Sequence, residues 1–300
     1  MTEANYVSLQ DFASSFGDDS EALPAWVHPH ARTTVIDQLR LRYRLEEILD
    51  TVVAWQRAER LQDGIYAGPM TMGHIYRPVL DASRTLGVAV PPAICAATQS
   101  KLQGCFGTDG RAFLYLSTYF FEAATEAERA FVAGRSCGYI AAQLVTANTL
   151  YAIVVDNGGV RSIVPRSLRP VLSLALAPLS LLSRVALSRW QRASEISVDR
   201  AGLVVGQDVD GASMALLRQT LGHKPQVDKE TYLEQARSRE SSPGRWAELL
   251  AGAPWVHKRI RAMELFAGSQ LYVDLTGRSV EDPISTEELN RRTTQILGVS

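Results

Sequence analysis

Residues 125–140 of this chain read TEAERAFVAGRSCGYI, and this stretch decides the fold that the sequence predicts. Thr125 and Glu128 have the spacing of a capping box, in which two side chains close the start of a helix. Apolar residues then recur at helical spacing, so a long helix is predicted over residues 126–151. The run RSCGYI at 135–140 lies near the middle of this helix and carries several of its polar side chains.

A second helix is predicted over residues 187–206, where the chain reads SEISVDRAGL at 194–203. Glu195 and Asp199 are four residues apart, so their carboxylates lie on the same face of this helix. Buried carboxylates need a positive charge or a metal beside them. The pair therefore marks this helix face as a candidate site.

Two short apolar runs, at 94–97 and 112–116, precede the capped helix and predict strands. A turn signal, Gly107-Thr108-Asp109-Gly110, separates them, so the two runs are expected to form a small hairpin or the edge of a sheet. Residues 117–123 are expected to form a short helical turn.

Helical periodicity and end signals predict most of the remaining chain as helix. These predicted helices cover residues 32–61, 74–86, 208–221, 229–239, 244–251, 254–267 and 286–297. Residues 1–31 have few periodic signals and are expected to form an N-terminal arm, followed by one domain over 32–300. The predicted fold class is α+β, mainly α, with a small β-sheet.

Composition narrows the kind of partner and the compartment. A formal net charge of -1 over 300 residues gives no field that would attract nucleic acid, and no long basic run is present. The three cysteines form no C-x-x-C pair, as is typical of reduced thiols in a cytosolic protein. Residues 1–20 have neither a basic start nor an apolar core, so no secretion signal is predicted. A cytoplasmic protein is therefore expected.

The most apolar stretch of the chain is VLSLALAPLSLLSRVAL at 171–187. It is shorter than the roughly 20 apolar residues that span a bilayer, and Pro178 and Arg184 interrupt it. A buried or interfacial helix pair, broken at Pro178, is therefore favoured over a membrane span. Arginines flank the stretch, which leaves peripheral membrane contact open, as well as a role as a partner-binding face.

Three blocks of the chain resemble, in order, the zinc metallopeptidases of the CAAX prenyl protease and HtpX type. The blocks are LYLSTYFFEAATEAERAFVAGRSCGYIAAQ at 114–143, SEISVDRAGL at 194–203 and GAPWVHKRIRAM at 252–263. The family carries HELGHI on a capped helix, ExxxDRAG on a second helix and SHPxxxxRI at the start of another. The resemblance runs from about residue 70 to 266 and implies a zincin-like metallopeptidase scaffold within 32–300.

The chemistry of such a gluzincin site, HExxH…ExxxD, gives each motif position a role. Zinc takes three protein ligands and keeps a fourth position for water. The two histidines of HExxH are ligands, and the glutamate between them takes a proton from the zinc-bound water. The glutamate of ExxxD is the third ligand, and the aspartate of that motif orients a histidine ring.

Carried over to this chain, the first motif is degenerate. Arg135 and Tyr139 stand where the two histidines would be, and Ser136 stands in place of the catalytic glutamate. Gly138 and Ile140 match the family. A serine hydroxyl cannot replace a carboxylate as general base at neutral pH. With two of the three zinc ligands absent, no metal or other cofactor is expected.

The second and third motifs are kept in part. Glu195 corresponds to the third zinc ligand and Asp199 to the orienting carboxylate. Ala253 stands in place of the histidine of SHPxxxxRI. Three residues of that last block match the family: Pro254, Arg259 and Ile260. The resemblance therefore implies a vestigial site that keeps its carboxylates and loses its histidines and its base.

The retained carboxylates predict a substitute for the missing metal charge. Arg135 lies on the facing helix and can form bidentate hydrogen bonds, so an ion pair of Arg135 with Glu195 or Asp199 is predicted. The alternative is that Arg135 extends into solvent. Tyr139 is expected to fill the volume of the lost imidazole, either with its hydroxyl in the same network or as plain core packing.

The expected function is that of a catalytically inactive metallopeptidase-like protein, a pseudoprotease that acts as a binding, scaffolding or regulatory module. A cleft that no longer cuts can still hold an extended peptide by strand addition at a sheet edge. A protein or peptide partner is therefore expected, self-association is left open, and no nucleic-acid partner is expected.

Two alternative functions remain open. One is a zinc-dependent metalloendopeptidase with an atypical centre. The other is a membrane-associated assembly factor that uses residues 171–187.

Overall fold

The computed structural model describes residues 23–32, 42–99, 103–154, 181–222, 228–237 and 254–298. The helices in these ranges are α1 (Pro29–Arg32), α2 (Arg42–Arg60), α3 (Gly73–Leu86), α4 (Thr118–Ala123), α5 (Glu126–Ala141), α6 (Val145–Val154), α7 (Leu181–Gly206), α8 (Val209–Leu221), α9 (Lys229–Arg237), α10 (Val256–Ala267), α11 (Gln270–Thr276) and α12 (Thr286–Leu297). The strands are β1 (Gly64–Tyr66), β2 (Ala93–Ala96), β3 (Gly104–Phe106) and β4 (Phe113–Ser117). The predicted class, α+β and mainly α with a small sheet, is confirmed.

The four strands form one sheet in the order β1-β2-β4-β3. The two predicted apolar runs become β2 and β4, but they pair in parallel and do not form a hairpin with each other. The hairpin partner of β4 is β3, which pairs with it antiparallel across the turn at 107–110. A parallel pair needs a crossover, and the segment that contains β3 supplies it. β1 adds to β2 antiparallel at the other edge.

The start of α5 confirms the predicted capping box. The Thr125 hydroxyl accepts a hydrogen bond from the backbone N–H of Glu128 at 3.3 Å. The Glu128 carboxylate in turn accepts from the backbone N–H of Thr125 at 2.6 Å. These two bonds satisfy helix donors that otherwise have no partner, so the helix begins where the sequence predicts it.

The predicted continuation of this helix to residue 151 is wrong. The helix α5 ends at Ala141, and Gln143 takes a left-handed conformation with φ of 53°. A new helix, α6, then begins at Val145, whose backbone N–H donates to the Asp109 carboxylate at 2.9 Å. Asp109 belongs to the turn between β3 and β4, so a distant loop caps α6, and spacing within the helix could not reveal this.

The helices α5 and α7 pack closely because glycines of α5 lie directly against side chains of α7. A Cβ atom at Gly138 would lie 2.6 Å from the Cβ of Ala201, closer than real Cβ atoms approach. A Cβ atom at Gly134 would lie 2.7 Å from the Cβ of Val205. The two helices are therefore so close at these positions that no side chain larger than that of glycine fits between them. This contact brings the middle of α5 against the carboxylate face of α7.

The remaining predictions have mixed outcomes. The helix α3 ends at Gly87, which adopts φ of 67°, and α12 spans its predicted residues. The short helix α11 has no counterpart among the predicted elements. Three parts of predicted helices, residues 33–41, 238–239 and 244–251, lie outside the described residues.

Residues 24–31, the end of the predicted N-terminal arm, are packed against the domain. Trp26, Val27 and Ala31 are all buried in the main hydrophobic core. Residues 1–22 lie outside the described residues, so the extent of the arm stays a prediction.

The apolar stretch at 171–187 falls largely outside what the structure describes. Residues 171–180 are not described, and residues 181–187 form the first turns of α7. Among the described helices, none combines the length and the apolar character needed to cross a membrane.

Candidate functional site

The candidate site lies where α5, α7 and α10 meet. Each of these helices contributes at least one charged side chain, and the group consists of Arg135, Glu195, Asp199 and Arg259. We call these four residues the charged cluster. Their side chains are between 0% and 12% exposed, so the cluster is nearly closed to water.

The structure places Arg135 between the two carboxylates of α7. Its Nε donates a hydrogen bond to the Asp199 carboxylate at 2.6 Å. Its Nη2 donates to the carboxylate of Glu195. Arg135 therefore touches both acidic residues and does not extend into solvent, as its 12% side-chain exposure also shows.

A second arginine, Arg259 of α10, completes the charge balance. Its Nε donates to Asp199 Oδ2 at 2.7 Å, and its Nη2 donates to Asp199 Oδ1 at 2.6 Å. Nη2 also lies 3.6 Å from a carboxylate oxygen of Glu195. This is the two-pronged geometry in which arginine binds carboxylate most strongly. Sequence reasoning missed this role, although Arg259 stood among the residues that match the third motif.

Glu195 is held by neutral groups as well. The Tyr139 hydroxyl donates to Glu195 Oε1 at 2.5 Å, so the tyrosine belongs to the network and does not merely fill space. The amide Nε2 of Gln191 donates to the same oxygen at 3.1 Å and to Asn148 Oδ1 at 2.9 Å. No pattern in the sequence points to these two amides, because their role depends on how α6 and α7 pack.

The opposite charges in the cluster lower the pKa of Asp199 and raise that of Arg135, so each stabilises the charged form of the other. Burial alone would raise the pKa of Asp199, but the charges of Arg259 and Arg135 outweigh it and hold that pKa below its ordinary value. Burial would lower the pKa of Arg135, whereas Glu195 and Asp199 raise it, and the net direction is up. Burial and the neighbouring Glu195 charge raise the pKa of Tyr139 well above its usual value. Arg135 and Asp199 therefore stay charged, and the Tyr139 phenol stays neutral, at physiological pH.

These residues do not fit a zinc ion. The oxygens of Glu195 and Asp199 that would face a metal already accept hydrogen bonds from two arginines, a tyrosine and an amide. A divalent cation would also stand beside two fixed guanidinium charges, and no imidazole or thiolate of the cluster offers a second ligand. Among the described residues, no group of three or more His, Cys, Asp or Glu side chains is placed to hold a metal ion.

The other motif positions offer no catalytic group. The Ser136 hydroxyl donates to the backbone carbonyl of Val132 at 2.8 Å, within its own helix. The sulfur of Cys137 lies 3.6 Å from the Ser83 hydroxyl, and burial raises the pKa of this thiol to about 12. A thiol with that pKa is protonated and inert at neutral pH. Ala253, which the resemblance aligns with a histidine of the third motif, lies outside the described residues.

Comparison with known proteins adds no relative. No protein-family model, no curated protein and no solved structure matches this chain. The resemblance to zinc metallopeptidases therefore rests on the residues of the three motifs alone, and any function for the cluster has to be argued from its own geometry.

Proposed function

We propose that this protein is a catalytically inactive metallopeptidase-like protein, a pseudoprotease that serves as a binding, scaffolding or regulatory module. The observation that carries the proposal is the position of Arg135. It stands at a motif position that a zinc ligand would occupy, and it bonds to both carboxylates that a zinc site would keep.

The chemistry of the cluster supports an absence of hydrolysis. Two guanidinium groups and two carboxylates leave no net charge, so nothing in the cluster polarises a water or a carbonyl as a metal would. The side chains of Arg135, Arg259 and both acids are bound to one another, so none is free to act as a base or an oxyanion donor. The network is suited to holding α5, α7 and α10 together, with any activity residing in binding.

An open sheet edge supports the proposed binding mode. Within the part of the chain that the structure describes, β1 is an end strand of the four-stranded sheet and pairs with β2 alone. Its residues Ile65 and Tyr66 are 48% and 38% exposed. An extended peptide can add a strand to such an edge through backbone hydrogen bonds, with the exposed side chains providing selectivity.

Rebuilding the motif tests the family part of this proposal. The triple substitution Arg135→His, Ser136→Glu and Tyr139→His restores HExxH opposite Glu195. We expect the purified triple variant to hold about one zinc ion per chain, because three ligands then converge on one site, and the wild-type protein to hold none. Metal content by mass spectrometry measures both.

The matched control adds Glu195→Gln to the triple variant, and this change should remove the bound zinc. Absence of zinc from the triple variant, provided that it folds, would contradict a zincin-like scaffold. Stoichiometric zinc in the wild-type protein, lost on Glu195→Gln, would instead support a metalloendopeptidase with an atypical centre.

Peptide selection tests the binding part. Peptides enriched from a random library on the wild-type protein should lose binding to Ile65→Lys, which places a charge on the open edge strand. Binding to Leu275→Lys, an exposed position on α11, should be unchanged. Failure to enrich any peptide, or equal loss in both variants, would argue against binding at this edge.

A further inference from the structure

Residues 24–32, which we call the N-terminal latch, are held by buried apolar side chains and by a small set of polar contacts with α7. The backbone N–H of His28 donates to the Ser197 hydroxyl at 2.9 Å. The indole N–H of Trp190 donates to the carbonyl of Ala31 at 3.1 Å. His28 itself is fully buried, so the latch carries a titratable ring into the core.

The ring of His28 lies beside a buried cation, Arg200. This arginine is 1% exposed, and its guanidinium donates to the Trp26 carbonyl at 3.4 Å. It also donates to Asn290 Oδ1 at 3.2 Å and to the Thr293 hydroxyl at 3.1 Å, both on α12. All three partners are neutral, so no carboxylate among the described residues balances this charge. Burial lowers the pKa of Arg200 to about 9, which leaves it charged at neutral pH.

The hydrogen bonds of His28 fix a neutral ring. Its Nδ1 accepts from the backbone N–H of His30 at 3.3 Å. Its Nε2 lies 3.4 Å from the hydroxyl of Thr294, and that hydroxyl already donates to the Asn290 carbonyl at 2.8 Å. Because the threonine proton is used, Nε2 carries the hydrogen and Nδ1 is the bare nitrogen. A second proton can enter only at Nδ1, where it would face the N–H of His30.

Burial and the neighbouring charged and titratable groups oppose that proton, and one backbone carbonyl favours it. α7 contributes the cation Arg200, and the latch contributes the exposed ring of His30, stacked at 5.4 Å between ring centroids. α12 contributes neutral groups only: Asn290, Thr293 and Thr294. Burial and the Arg200 charge lower the pKa of His28 to about 3, and a hydrogen bond to the Asn290 carbonyl offsets this only in part.

We propose that the N-terminal latch is an acid-sensitive contact, which releases from α7 when His28 takes up a proton. Release lets the imidazolium reach water and separates it from Arg200. It also uncovers the side of α7 that carries Trp190 and Ser197.

The direction of the pH effect follows from the pKa of His28. The closed latch holds this pKa near 3, whereas a released histidine titrates near its ordinary 6.5. The released state therefore binds more protons between these values, and the closed state loses stability as the pH falls from about 6.5. The contact is fully retained above pH 6.5. Asp199 has a pKa below its ordinary value, so its carboxylate stays ionised through the upper part of this window.

Hydrogen–deuterium exchange on the full chain, expressed as protection factors, tests the latch. In the wild-type protein, protection of residues 24–32 should fall by up to about tenfold per pH unit between about pH 6.5 and 4.5. Protection of the middle of α5 should stay constant over the same range, because only the latch opens. A flat profile for the latch, or a parallel loss in α5, would overturn the proposal.

Two substitutions isolate the histidine. His28→Asn keeps a side-chain acceptor for the N–H of residue 30 but cannot be protonated, so its latch profile should be flat. His30→Asn removes the exposed neighbouring ring, and its profile should match the wild type. His28→Gln provides a second non-titrating variant if His28→Asn does not fold. A pH-dependent opening that persists in a folded His28 variant would overturn the role of this ring.

Discussion

Replacing Arg135 by methionine is expected to lower the free energy of unfolding by about 3–5 kcal/mol. The substitution keeps much of the side-chain volume and removes one of the two cations of the charged cluster. Among the described residues, Glu195 would keep only Arg259, at 3.6 Å, as a charged partner. A carboxylate that is buried without a close counter-charge is strongly destabilising, which sets the size of the effect. Urea unfolding at neutral pH measures it.

The control for this substitution is Arg291→Met. Arg291 also binds a carboxylate, that of Glu288, but on the exposed surface of α12 with 58% of its side chain accessible. Solvent and salt screen such a pair, so no measurable change in stability is expected. Similar stability changes for the two variants would mean that the charged cluster is solvated and that Arg135 balances nothing.

Gly138→Val is expected to destabilise the protein by about 3 kcal/mol, at the upper end of the usual cost of overpacking. The first added carbon would already lie 2.6 Å from the Cβ of Ala201. The backbone of α7 therefore has to move away from α5. Because Arg135 reaches Glu195 and Asp199 across this helix pair, the same movement lengthens its hydrogen bonds.

Gly73→Val is the matched control, because a Cβ atom at Gly73 meets nothing within 4 Å. Its effect on the free energy of unfolding should stay within about 0.5 kcal/mol. Equal effects at Gly73 and Gly138 in urea unfolding would show that loss of glycine itself, and not the helix contact, causes the destabilisation.

The sequence predicts those parts of the fold whose causes are local. The capping box at Thr125 and Glu128 and the glycine that ends α3 act within one turn of helix, so spacing alone reveals them. The break between α5 and α6 and the parallel pairing of β2 with β4 depend on Asp109 and on β3. Asp109 is distant in sequence from α6, and β3 is too short to show a strand period, so the predicted helix end and the predicted hairpin were wrong.

The charged cluster was predictable to a similar degree. Two carboxylates four residues apart on one helix face imply a positive charge beside them, and Arg135 was the candidate on the facing helix. The charge of one arginine does not balance two buried carboxylates, so the sequence already implied a second cation near them. Arg259 fills that place from α10, 60 residues further along the chain than Asp199. Only the packing of three helices shows which arginine it is.

Arg135 balances the buried carboxylates of α7, and a double-mutant cycle tests this role most directly. The cycle compares Arg135→Met, Glu195→Gln and the double variant by urea unfolding. Once Glu195 is neutral, the loss of the Arg135 charge no longer leaves that carboxylate without a close partner. The double variant should therefore lose less free energy of unfolding than the sum of the two single losses, by at least about 1.5 kcal/mol. Single effects that add to within about 0.5 kcal/mol would contradict the claim.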